Sequence, residues 1–125
     1  MAFTTVTANK ILNKVIKGTD FTPASTLYLA LYTADPGEAG TSNEVSGGSY
    51  ARQAVTFGTV ATKAVSNSAT IDFASMPAAT VTHVGLWSAA SGGDFWWGGA
   101  LAASKTTTAG DTLRVNTGDL DVTLT

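Results

Sequence analysis

Leu27-Tyr28-Leu29-Ala30-Leu31-Tyr32-Thr33-Ala34-Asp35-Pro36-Gly37 sets the fold class. Between Thr26 and Thr33, Leu27, Leu29 and Leu31 alternate with Tyr28, Ala30 and Tyr32. A period of two is the mark of a strand, here with one strongly apolar face and one aromatic face. Asp35-Pro36-Gly37 supplies turn chemistry. A run of small residues from Glu38 to Ser49 then forms a loop, and Tyr50 to Phe57, with Arg52 inside it, forms the next strand.

Working outward, the same period recurs in short segments separated by Gly, Ser and Pro. Ala69 to Phe73 is a strand closed by Met76-Pro77, and Thr80 to Ser88 is another. Ala89 to Gly93 is a hairpin turn leading into Asp94 to Ala102, where Gly98-Gly99 marks a bend or bulge. Two short strands follow, Thr112 to Val115 and Asp119 to Thr125, the last with Leu120, Val122 and Leu124 facing inward. Upstream of all of these lies one helix, about 8–17. Thr7 is placed to cap it, Ile11, Leu12, Val15 and Ile16 make an apolar stripe, and Gly18 ends it. A helix so short does not persist alone and is expected to dock on the strands. The chain is therefore expected to be all-β: an antiparallel β-sandwich of about six to seven short strands with one short N-terminal α-helix, forming a single domain over 1–125.

Composition narrows the function. Only 13% of the residues are charged and 44% are hydrophobic, about half the usual charge content. Such a surface suits burial by partners. The net charge is −2 and the basic residues are scattered apart from Lys10, Lys14 and Lys17, so nucleic-acid binding is not expected. No apolar stretch approaches membrane-spanning length, and no membrane partner is expected. The first residues lack the pattern of a signal peptide, which implies synthesis and assembly in the cytoplasm. There is no cysteine, hence no disulfide and no thiolate zinc site.

The residues do not assemble into a reaction centre. His83 is the only histidine, it lies mid-strand, and no Gly-x-Ser-x-Gly elbow is present. The carboxylates are dispersed: Asp119 and Asp121 share one side of a strand, and Glu38 and Glu44 lie in a loop with no evident partner. The segments around Gly47-Gly48 and Gly92-Gly93 lack the lysine of a phosphate loop. No catalytic residue, metal site or cofactor is expected, and the chain is read as not an enzyme. The aromatics carry more weight. In a regular strand Trp96 points to one face and Phe95 and Trp97 to the other. With Tyr28, Tyr32, Tyr50 and Arg52, the residues Trp96 and Trp97 are the candidates for a subunit interface.

Over nearly its whole length the chain resembles a family of small bacteriophage virion structural proteins commonly labelled tail-fibre proteins. The matching features are the helix followed by Phe21-Thr22-Pro23, Leu27 to Gly37, and Asn43 to Phe57. Further matches are Val81-Thr82-His83-Val84-Gly85-Leu86-Trp87, Gly99-Ala100-Leu101, Lys105, Gly110-Asp111-Thr112 and Gly118-Asp119-Leu120-Asp121-Val122. The resemblance implies a virion component and supplies no catalytic residue. The chain has no coiled-coil, collagen-like or β-helix repeat with which to extend into a fibre. A compact domain fits capsid decoration, binding the major capsid protein or other copies of itself, with a trimer favoured. The alternative is a tail-fibre or tail-tip component that binds host-surface glycan.

Overall fold

In the computed structural model, which describes residues 2–124, the Leu27–Tyr32 segment is an inner strand of the main sheet. The elements in chain order are β1 (Ala2–Phe3), α1 (Thr5–Lys17), β2 (Leu27–Tyr32), β3 (Gln53–Val55), β4 (Ala64–Ser66), β5 (Ile71–Met76), β6 (Ala79–Trp87), β7 (Phe95–Thr107), β8 (Asp111–Val115) and β9 (Asp121–Thr123). Five strands form one antiparallel sheet in the order β1-β7-β6-β2-β3, and two ribbons, β4-β9 and β5-β8, complete the fold. The all-β class and the N-terminal helix match the expectation. The strand number is higher because β1 and β4 pair at sheet edges over only two and three residues. Thr125, expected to close the last strand, lies outside the described residues.

Register explains the core. Leu29 stands opposite Leu86 and Leu31 opposite Val84 across β2 and β6, and Leu86 stands opposite Trp97 on β7. Their side chains share the inner face and meet Ile71, Phe73 and Met76 of β5, Leu113 of β8, and Leu120 and Val122 next to and within β9. The two ribbons are thus the second layer of a sandwich. The buried Asn67 ties the ends of the ribbons together. Its amide donates to the carbonyls of Ala69 and Asn116, and its Oδ1 accepts from the N–H groups of Gly118 and Leu120. Leu120 and Val122 are inward as expected, but Leu124 is 49% exposed.

The outer face of the main sheet holds a second cluster of Ala30, Tyr32, Trp87 and Phe95. The Phe95 ring lies against glycine backbone. A β-carbon at Gly85 would fall 2.4 Å from it and one at Gly98 2.8 Å, and the loop residue Gly40 approaches as closely. Phe95 and Trp97 therefore face opposite sides, contrary to simple alternation. The reason is a register shift, in which Leu86 pairs with Trp97 but Trp87 pairs with Phe95. The extra residue, Trp96, is a bulge. Gly98 itself pairs in register with Gly85.

The helix departs from expectation in two respects. It begins at Thr5, and its cap is Thr4, whose hydroxyl accepts from the Thr7 N–H; Thr7 turns inward and its hydroxyl bonds that of Thr4 at 3.0 Å. Gly18 does end it, with φ of 69°. The second departure is larger. The first turn is fastened to the sheet, with Thr4 N–H donating to the Trp96 carbonyl, Thr4 Oγ1 to the Phe95 carbonyl, and Thr5 N–H to Glu38 Oε2. Further along, Phe21 packs on Trp96 at 5.5 Å and Lys10 lies over the Phe21 ring. Most of the stripe does not dock: Ile11 is half-buried, but Leu12, Val15 and Ile16 are 57%, 72% and 74% exposed.

Candidate interaction site

The loop after β2 is a clasp. Asp35 Oδ1 accepts from the Gly37 N–H and the Asp35 carbonyl accepts from the Asn43 amide, which closes the turn. The chain then runs back beside β2, with Thr33 N–H bonded to the Asn43 carbonyl and Val45 N–H to the Leu31 carbonyl. This places Glu44 against Arg52. Arg52 Nε and Nη2 both donate to the Glu44 carboxylate at 3.0 Å, a two-pronged pair with side chains only 24% and 10% exposed for Glu44 and Arg52. Nη1 reaches the carbonyls of Ala89 and Gly92 in the hairpin turn, and the guanidinium lies 3.9 Å above the Trp87 ring. The Tyr50 hydroxyl donates to Glu44 Oε2 and accepts from the Leu31 N–H. Trp87 Nε1 donates to the Tyr32 hydroxyl, which donates to the Gly40 carbonyl. Three separate loops are joined through one carboxylate and one guanidinium.

Burial shapes the titration of these groups. It pushes Tyr32 up to about 12, with the Trp87 N–H pulling the other way. Burial likewise drives Tyr50 well above the ordinary phenol range, and the adjacent Glu44 charge adds to that. Desolvation alone would lower Arg52, but the bonds to Glu44 outweigh it and raise it. Both tyrosines hold their proton more tightly folded than unfolded. Their contribution to stability is full below the unfolded tyrosine value of about 10 and is lost as pH rises through the folded values. An alkaline titration followed by tyrosinate absorbance and circular dichroism should show Tyr32 and Tyr50 ionising together with loss of structure, above pH about 11. Their ionisation well before any loss of structure would contradict the clasp.

The expected interface residues divide. Tyr32, Tyr50 and Arg52 are brought together, but inside the clasp, where they bind the protein's own loops. Tyr32 and Trp97 are buried and cannot present themselves to a partner in this fold. Trp96 is half-buried against Phe21, and Tyr28 is half-buried on β2 opposite Trp87. None of the described Trp, Tyr or Phe side chains is exposed. Glu44, read from sequence as lacking a partner, is the centre of the network. The exposed apolar surface lies elsewhere, on Leu12, Val15 and Ile16 of α1 and on Val6, Val60 and Leu124. The helical spacing had marked the first three as apolar; only their destination was misread.

Two grooves open near the base of α1, both lined in part by Phe3. One, of about 460 Å³, is floored by Gly98, Gly99 and Ala100 and walled by Phe3, Asp35 and Glu38, with His83 also lining it. The His83 Nδ1 atom is 2.8 Å from the Thr82 hydroxyl. The other, of about 340 Å³, lies between Val60, Val65, Val122 and Leu124 and contains Lys63. Among the described residues no group of His, Asp and Glu is arranged to hold a metal ion, and no helix is long and apolar enough to cross a membrane. A protein-family model described as Podophage GP4 fiber I protein gp80 matches residues 2–123. No curated protein matches the chain.

Proposed function

Since the chain belongs to the Podophage GP4 fiber I protein gp80 family, we propose that this phage fibre-related structural protein is a non-enzymatic building block of the tail-fibre apparatus, carried on the virion and assembled by protein–protein contact. The family match carries the fibre assignment, and the helix supports the assembly. Three large aliphatic side chains stand in solvent on a helix held to the fold at its first turn and through the Lys10–Phe21 contact. Contiguous exposed apolar surface of this kind marks an interaction site. The expected partners are other copies of the chain and neighbouring virion proteins.

The fibre reading takes precedence over capsid decoration because the family's description names a fibre. Glycan binding through the aromatic residues is the weaker part of the tail reading. Sugar stacking needs an open ring face, and each described aromatic side chain is buried or half-buried. Quantitative mass spectrometry of purified particles against the major capsid protein tests the assignment. A few to a few dozen copies per particle are expected for a tail component. Hundreds of copies, in simple ratio to the capsid subunit, would replace it with capsid decoration.

A further inference from the structure

We propose that the exposed stripe of α1 docks in the Gly98-Gly99-Ala100 groove of a second copy of this chain. The inference rests on the reading of the chain as a virion building block and names the partner of its free helix.

Charge selects the occupant. The helix holds three of the chain's seven basic residues, Lys10, Lys14 and Lys17, while all nine carboxylates lie outside it. Among the described residues its only ion pair is an exposed one, between Lys14 and Asp20 at 3.5 Å, and such a pair contributes little. Helix-to-helix pairing would gather three lysines from every copy with no carboxylate on the helix to meet them. Of the two grooves beside the helix base, the one at Val60 and Leu124 contributes Lys63 and, among the described residues, no carboxylate. The groove at Gly98 contributes Asp35 and Glu38. Each of those carboxylates spends one oxygen on a backbone N–H, Asp35 on Gly37 and Glu38 on Thr5, which leaves a second oxygen facing outward.

Shape agrees with charge. Between β1 and the clasp loop this groove is lined by Gly98, Gly99 and Ala100, with the Phe95 ring against Gly98 and with Phe3 and His83 also lining it. Leu12, Val15 and Ile16 would pack on this lining of small residues and rings, with Lys14 and Lys17 reaching the rim. The stripe alone is too small for a stable pair: standard interfaces engage roughly 20–30 residues a side. Seating the helix also brings the partner's clasp loop and β1 into the contact. Helix and groove are different surfaces, so a one-way contact is heterologous and builds a ring or an open run of copies, whereas a mutual exchange of helices makes a two-fold pair.

The absence of cysteine makes the test clean. Full-length Ile16→Cys and Ala100→Cys, prepared separately and mixed under mild oxidation, should give a disulfide-linked heterodimer on a non-reducing gel. Equal yield from Ile16→Cys alone, or from Ile16→Cys mixed with Leu124→Cys, would overturn the proposal in favour of helix pairing or the other groove. Light scattering of the full chain supplies the second reading. Asp35→Asn with Glu38→Gln keeps both backbone bonds and removes both charges; it should weaken self-association roughly three- to tenfold and flatten its salt dependence. Unchanged association, or a wild-type chain that stays monomeric at high concentration, would likewise overturn the docking. Either result leaves the particle copy number, and with it the fibre reading, standing on its own.

Discussion

Trp97→Ala is expected to cost about 3–5 kcal/mol, the range for removing a large aromatic from a packed core. Trp97 is 1% exposed and sits where β7 faces both β6 and the ribbon layer. Domains of this size are held by only about 5–15 kcal/mol, so the variant should lose a large share of its stability and melt roughly 10–20 °C lower. A second variant makes the argument specific. The Trp97 indole N–H is buried with no acceptor among the described residues. Leaving such a donor unpaired costs about 1–3 kcal/mol. Trp97→Phe removes the N–H together with part of the ring, so its loss should stay below about 2 kcal/mol, the polar relief offsetting part of the lost packing. Urea unfolding of the two variants measures both numbers. Equal losses would show that the N–H is satisfied and that the core argument is incomplete.

Glu44→Ala should be the next most damaging change, at about 2–4 kcal/mol, because it leaves a largely buried guanidinium and the Tyr50 hydroxyl without their acceptor. The value falls short of the full cost of an uncompensated charge, since Arg52 keeps the carbonyls of Ala89 and Gly92 and the face of Trp87. Removing both partners should cost less than the sum of the single changes, because the second removal takes away the stranded charge. A double-mutant cycle with Arg52→Ala reads this directly. Additive losses would mean that the two residues act separately and that the loops are not tied by their contact.

The sequence was legible where periodicity is long enough to repeat. β2 and β6 declared both their faces, since six and nine residues allow several alternations. β1 and β4 are too short to show a period and exist because a neighbour offers an edge. The reading of Tyr50 to Phe57 as one strand overreached. Only Gln53–Val55 joins the main sheet; Phe57 makes an isolated bridge to Asn67, and Tyr50 and Arg52 serve the clasp. That clasp had no local signal: Glu44 and Arg52 meet across a loop whose small residues imply looseness, and the contact exists only once the Ala89–Gly92 turn is in place. Trp96 hid a bulge, which no pattern of apolar residues reveals. The helix shows the general limit most clearly. Its spacing told which face is apolar, and nothing in one chain tells whether that face is covered by the same molecule or by another.

The seat of Phe95 ties distant positions into one unit of inheritance. Its ring rests where Gly85, Gly98 and Gly40 have no side chain, so none of the three can enlarge while the phenylalanine stays. In diverging lineages these sites should change together, a bulkier residue at 85 or 98 arriving with a smaller one at 95. At 40 the backbone itself, with φ of 68°, adds a second barrier. Gly40 thus joins Glu44, Tyr50 and Arg52 among the positions of the clasp that cannot drift alone, and the inheritance of the loop is bound to that of the strand it covers.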